Sequence, residues 1–439
     1  MPVELTTAHT LQNRTVHRAV LQNGMTVLMV ENPAADIIAA RIFVRAGGRY
    51  EPIAQAGLSH LLAAVITKGT DRLTSQEIAE RVETVGASLG ADAAADYCLM
   101  SLKTVSGDFP EILELAAELL RSPSFPEMEV ELERRLTLQG IRSMQEQPFS
   151  IANAQLRQAM YQQHPYAQTS LGTEETVSHL TQADLKQYHQ TYFRPDNMVV
   201  SIAGRIPAEA AIALVDRVFG DWQPPQQADG RILPLPELHL PAIDSNPHWV
   251  VTPQETQQAI VMLGYLASAI HSADHLVLKL INTYLGSGLS SRLFVELREK
   301  RGLAYEVSAF YPTRIDTSHF VTYIGTASDN AAIALDGLKL EVERLRTVEL
   351  TDEELQAAKN KLLGQYALGK QTNAQIAQIF GWYETLGLGI DFDERFQQII
   401  PTITAADIQQ VANQHFTQPY ISIVGSEAAI DLVKDRKAI

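Results

Sequence analysis

The chain has 439 residues, 46% of them hydrophobic, with one cysteine and a formal charge of −16; that apolar content suffices for large cores spread over roughly two to four domains. The acidity argues against nucleic acid or an anionic membrane as the main partner, and the single Cys98 excludes an internal disulfide or a cysteine zinc cluster and fits a reducing compartment. The opening MPVELTTAHTLQNRTVHRAV has no apolar signal segment, and no later run approaches the roughly 20 apolar residues of a membrane helix, so a soluble, cytoplasmic protein without a membrane partner is expected.

Short strands then alternate with longer helices. Val- and Ile-rich stretches at 25–30 and 37–46 read as strands, the first following the turn Asn23-Gly24. GLSHLLAAVITKGT, residues 57–70, reads as an apolar helix holding one histidine, His60. Thr74-Ser-Gln-Glu77 is a capping box that opens a helix with Ile78, Val82 and Val85 on one face, ending at Gly86. Residues 89–94 and 97–105 suit a hairpin, with Cys98 a small core residue rather than a nucleophile. Helices follow over Phe109–Arg121, Glu127–Glu146, 150–163 and 181–192, then a strand at Met198–Gly204. From 222 to 247 the periodicity stops, and Pro224, Pro225, Pro234, Pro236, Pro241 and Pro247 mark an extended linker.

Beyond the linker the pattern recurs. Thr181-Gln-Ala-Asp-Leu185 leads to Phe193 and MVVSIAG, and Thr404-Ala-Ala-Asp-Ile408 leads to Phe416 and YISIVG. Asp184 and Asp407, Phe193 and Phe416, and Glu131 and Glu354 all share an offset of 223 residues. The expected fold class is therefore α+β, a tandem duplication of a mixed helix-and-antiparallel-sheet domain, with domains at 13–222 and 248–435 and a linker at 223–247. Two homologous halves of this kind commonly bind ligands in a cleft between them.

An H-x-x-E-H helix binds zinc through two histidines on one face and activates zinc-bound water with the glutamate. The register here is His60-Leu61-Leu62-Ala63-Ala64, with alanine where the base and second ligand would stand. Around it, NGMTVLMVE, AGGRYEP, AGLSHLLAAVITKGT, HPYAQTSLGTEETVSHLT and YFRPDNMVVSIAG follow in an order that resembles the inverted-zincin peptidases: pitrilysin, insulin-degrading enzyme and mitochondrial processing peptidase. The resemblance runs from about residue 16 to 430 and is nearest to the short, two-domain bacterial and mitochondrial-type members. It implies a LuxS/peptidase-like metalloenzyme fold and dimers whose four domains enclose a chamber. The family's third ligand, a glutamate, falls on Gly140 in Glu133-Arg134-Arg135-Leu136-Thr137-Leu138-Gln139-Gly140-Ile141, and its Asn-Ala edge-strand pair becomes Gly90-Ala91. One imidazole cannot hold a catalytic zinc, so no metal and no cofactor is expected on this chain, and His60 reads as a core histidine bonded to backbone. His271-Ser-Ala-Asp-His275 is a decoy, because Ser272 suits an N-cap that leaves His271 outside the helix.

LGSGLSSRLFVELREKRGLAYEV, residues 285–307, departs little from the family pattern. The resemblance implies that an arginine and a tyrosine from this element bind substrate and the tetrahedral oxyanion, and these fall on Arg298 and Tyr305, the expected catalytic residues. A guanidinium and a phenol can both donate to a carbonyl oxygen as it gains charge. Some heterodimeric relatives divide the work between a zinc-bearing subunit and one that supplies this pair. The expectation is the second kind: inactive alone, paired with a zinc-bearing homologous subunit, acting on peptide or unfolded polypeptide. The alternatives are a noncatalytic structural or peptide-binding homologue like the core subunits of respiratory complex III, and a self-sufficient peptidase with relocated ligands.

Overall fold

The computed structural model describes residues 5–11 and 14–434, so the expected outer limits of the two domains, residues 13 and 435, lie outside the described residues. In the first half of the chain β1 (Leu5–Leu11), β2 (Arg14–Val20), β3 (Thr26–Glu31), β4 (Ile38–Val44), β5 (Ser88–Ala93), β6 (Cys98–Thr104) and β7 (Met198–Gly204) form a sheet in the order β1-β2-β3-β7-β4-β6-β5. In the second, β8 (Trp249–Pro253), β9 (Gln258–Ala267), β10 (Glu306–Phe310), β11 (Ser318–Ala327) and β12 (Tyr420–Gly425) form a sheet in the order β10-β11-β9-β12-β8. Taken from its other edge, β8-β12-β9-β11-β10 repeats β3-β7-β4-β6-β5 strand for strand. Directions repeat too: β3–β7 and β8–β12 are parallel, and the remaining pairs antiparallel. The chain is an α+β duplication in topology as well as in motif.

The helices of the first half are α1 (Leu58–Val65), α2 (Ser75–Thr84), α3 (Phe109–Arg121), α4 (Glu127–Glu146), α5 (Pro148–Tyr161), α6 (Glu174–His179), α7 (Gln182–Tyr192) and α8 (Ala208–Phe219). Those of the second are α9 (His275–Gly286), α10 (Ala331–Thr347), α11 (Asp352–Leu368), α12 (Asn373–Thr385), α13 (Phe392–Ile399), α14 (Ala405–His415) and α15 (Glu427–Lys434). Thr74 and Glu77 form the capping box of α2 that the spacing predicts, and the duplicated Thr/Asp pairs open α7 and α14 with the same reciprocal bonds. No helix of the described residues is long and apolar enough to cross a membrane.

Two compact units result. One takes the chain up to Ile141, Thr169–His239 and Ala367–Glu394; the other takes Arg142–Gln168, Leu240–Tyr366 and the chain from Arg395 onward. They differ from two contiguous stretches because each incorporates a helix from the other half. The cause is apolar area: β4 is buried along almost its whole length, so both faces of its sheet need cover. Ile38, Ala40, Ile42 and Val44 point into a core shared with α3 and α8. Phe43 points the other way, towards α12, where a Cβ on Gly381 would lie 2.4 Å from the Phe43 ring and 2.8 Å from the Ser201 Cβ. Reciprocally, α5 lies on β8, β9 and β12, and Gly264 admits its Leu156 and Met160. Residues 222–247 hold no helix or strand beyond an isolated bridge between Gln226 and Ile232.

Candidate functional site

Helix α1 starts at Gly57, whose φ of 95° and closeness to the Leu171 carbonyl, 2.5 Å from where a Cβ would sit, leave no room for a side chain. The buried Glu51 caps the helix start, accepting the Gly57 N–H at 2.8 Å and the Ser59 N–H at 2.6 Å. Burial pushes its carboxyl up to about 7 against the pull of those bonds. Sequence reasoning missed Glu51, since nothing in AGGRYEP distinguishes a buried cap from a solvated loop acid.

His60 is half-buried, and among the described residues its ring makes no hydrogen bond. The expected backbone-bonded core histidine is therefore corrected: the ring looks towards charge instead. Burial lowers its pKa, while Asp92 on β5 and Glu133 on α4 pull the other way. Glu133 in turn pairs with Lys68 at 3.1 Å. Ala63 is buried beside a small, mostly apolar cavity lined by Leu62, Ile66, Ala91, Cys98 and Met100 and by Asp92, and Ala64 is half-buried. On α4 a Cβ built on Gly140 would meet only the Leu171 Cδ1, at 3.6 Å. The surroundings of these positions are mostly apolar, with Asp92 the charged side chain at the cavity. Among the described residues no three His, Cys, Asp or Glu side chains gather as a metal site. This donor set does not fit zinc, which takes three protein ligands at a catalytic centre. Gly90 and Ala91 lie on β5, the edge strand of the sheet, and both are half-exposed. Cys98 is free and buried, and burial pushes its thiol up, consistent with an inert core residue.

In the other unit α9 ends at Gly286, where a Cβ would meet the Ala309 amide nitrogen at 2.1 Å. A wide, π-wound turn follows at Phe294–Glu299, anchored by the fully buried Leu293 and Leu297. Gly302, with φ 63°, stops it before β10. Arg298 is exposed on this turn, its guanidinium 5.0 Å from the centre of the Phe294 ring. Tyr305 is 61% exposed just ahead of β10, with its backbone N–H fixed to the Gly325 carbonyl at 2.9 Å. Among the described residues neither side chain has a protein hydrogen-bond partner. Both donors face solvent from one short, firmly rooted element.

The decoy resolves differently in detail. Asp274, not Ser272, is the residue at the N-terminal boundary of α9, and the Ser272 hydroxyl only accepts the Asp274 N–H. His271 lies outside the helix and is exposed. His275 is buried with Nδ1 3.0 Å from the Tyr311 hydroxyl, and burial pushes it down to about 3. The Tyr311 hydroxyl donates to the Ser268 carbonyl, so Nδ1 donates to Tyr311. Asp274 pairs with His415 at 3.0 Å. His275 and Asp274 are thus engaged elsewhere, and His271 stands apart from both on the surface.

Residues 26–174 match the sequence family described as Insulinase (Peptidase family M16), and residues 179–362 match the description Peptidase M16 inactive domain. An uncharacterized zinc protease, YmxG, of Bacillus subtilis is 27% identical over 415 residues, covering 92% of this chain and 97% of its own. An uncharacterized zinc protease of Rickettsia felis is 26% identical over 399 residues, covering 90% and 94%. A crystal structure from Pseudomonas fluorescens, described as a peptidase M16 inactive domain, superposes with a TM-score of 0.84 at 25% identity over 94% of this chain and 98% of that one. A protease structure from Helicobacter pylori gives 0.84 at 23% identity over 93% and 98%, and speaks to the fold alone. With both halves matched and the topology repeated, this chain belongs to peptidase family M16.

Proposed function

We propose that this chain is the zinc-free subunit of a heterodimeric zinc metalloendopeptidase, supplying Arg298 and Tyr305 to the zinc site of a homologous partner together with half of a peptide chamber. The observation that carries the reading is an asymmetry: the donor positions of α1 and α4 hold Ala63, Ala64 and Gly140, while Arg298 and Tyr305 stand exposed on a rooted turn. Two charged or polar donors held in place ahead of the reaction stabilise a developing oxyanion without reorganising. The substrate is peptide or unfolded polypeptide, and the charge of −16 favours basic segments. A cytoplasmic setting fits the lone, unpaired Cys98.

The test is reconstitution. This chain and an H-x-x-E-H homologue from the same genome are purified and assayed alone and mixed on an unfolded basic peptide. Each alone should be nearly inert and the mixture should cleave; a homologue as fast alone as in the mixture rejects the subunit role. A second reading, a peptide-binding protein without catalytic role, is favoured by β5, whose free edge offers backbone groups to an added strand. Under it, Arg298→Ala leaves every activity of the mixture unchanged.

A further inference from the structure

A π-wound turn has poorer hydrogen-bond geometry than an α-helix and persists where its surroundings hold it, often at functional sites. Around Phe294–Glu299 the hold comes from α10. Leu297 packs against Gly337, where a Cβ would lie 2.7 Å from the Leu297 Cδ2. One helical turn further along the same face is Glu341, only 3% exposed. Its carboxylate accepts the Arg292 Nε at 2.7 Å and has the Arg301 Nη2 at 3.8 Å. Arg292 and Arg301 flank the turn at its entrance and exit. A single buried carboxylate therefore ties both ends of the Arg298-bearing segment to one spot on α10. Arg292 also reaches Glu296 inside the turn at 3.1 Å, and Lys300 closes on the same Glu296 at 2.8 Å. Glu354, held by the Tyr284 hydroxyl at 2.9 Å, lies 3.9 Å from Arg292, about as far as Arg301 lies from Glu341, and adds a longer-range pairing at the entrance.

We propose that Glu341 is a positioning residue: together with Gly337 it holds residues 292–303 against α10 and so fixes where Arg298 projects. Its catalytic consequence rests on the role proposed above for Arg298. A buried carboxylate shared by two guanidiniums is costly to break, because the partners are left uncompensated; Glu296 also links Arg292 and Lys300 within the segment, but only Glu341 joins it to α10 from both ends.

Amide hydrogen exchange on the purified chain reads the clamp without any partner. In Glu341→Gln the amides of residues 294–303 should exchange at least about tenfold faster, while those of β9 and β12 keep their protection. In the mixture with the zinc-bearing homologue, kcat on the basic peptide should fall at least about tenfold with KM moving less than about twofold. Glu341→Asp should recover part of both. Should Glu341→Gln not fold, Arg292→Lys keeps the charge but removes the fork between Glu341 and Glu296, and the same pattern is expected at smaller size. Unchanged exchange over 294–303 overturns the proposal, whatever the cleavage. Faster exchange with unchanged kcat overturns the positioning role when Arg298→Ala does lower kcat. If Arg298→Ala leaves kcat unchanged, the reading of Arg298 fails, and exchange alone then decides whether Glu341 holds the turn.

Discussion

Glu51→Gln tests which force governs the start of α1. Two short hydrogen bonds, from the Gly57 and Ser59 N–H groups, and the helix N-terminus favour the carboxylate. Burial favours the neutral acid, and it is the larger, raising the carboxyl from 4.5 to about 7. The sign follows from linkage. The acid form is preferred in the fold, so its contribution to stability is complete below about pH 4.5 and is lost as pH rises through about 7. At about 1.4 kcal/mol per pH unit, the span from 4.5 to about 7 is worth roughly 3 kcal/mol. Glutamine resembles the protonated acid in shape and cannot ionise. Urea unfolding of both proteins from about pH 4 to 8 at fixed ionic strength should show wild-type stability falling relative to the variant, by roughly 3 kcal/mol across the range. A difference that is flat, or that grows in favour of the wild type as pH rises, refutes the reasoning and gives the two N–H donors the upper hand over burial.

Other expectations are equally direct. In the reconstituted mixture Arg298→Ala or Tyr305→Phe should each lower kcat by up to about 10²–10³ with circular dichroism unchanged, as for the loss of one oxyanion donor. The triple variant Ala63→Glu, Ala64→His, Gly140→Glu restores a His/His/Glu donor set and should bind zinc near one per chain by elemental analysis where the wild type binds none; a Cβ at Gly140 meets only the Leu171 Cδ1, at 3.6 Å. Gly381→Val should destabilise by about 1–3 kcal/mol in thermal unfolding, because the new Cβ meets the Phe43 ring and Ser201 under α12.

The duplication was legible because it is written in local signals. The capping box read at Thr74 is a four-residue pattern with a mechanism and opens α2, and the repeat markers at Thr181 and Thr404 turn out to open α7 and α14 with the same reciprocal bonds. Strand and helix bounds such as Met198–Gly204 and Phe109–Arg121 came from hydrophobic period alone. The exchange of α5 and α12 was not legible, since a helix's apolar face does not name the sheet it will cover; Gly264 and Gly381, the positions that admit those helices, look like any other glycine in the chain. Within the candidate site, the emptied ligand positions could be read from register. The orientation of His60 could not, because Asp92 and Glu133 reach it from β5 and α4, elements distant in sequence. Glu341 is the same case: its value depends on two arginines 40 and 49 residues before it.

The two half-sites differ in how they settle their charge. Around α1 the charge is largely settled: Glu133 is paired with Lys68, burial keeps the neutral form of His60 favoured, and Ala63 stands beside a mostly apolar cavity that Asp92 also lines. Around Arg298 the opposite holds. Every other arginine or lysine of that segment has an acidic partner, Arg292 and Arg301 on Glu341 and Lys300 on Glu296, whereas among the described residues Arg298 has only the face of Phe294. An unanswered cation and a 61% exposed phenol on a stretch rooted by buried Leu293 and Leu297 are compatible with a ligand arriving from outside the chain, which is what the Arg298→Ala and Tyr305→Phe assays test.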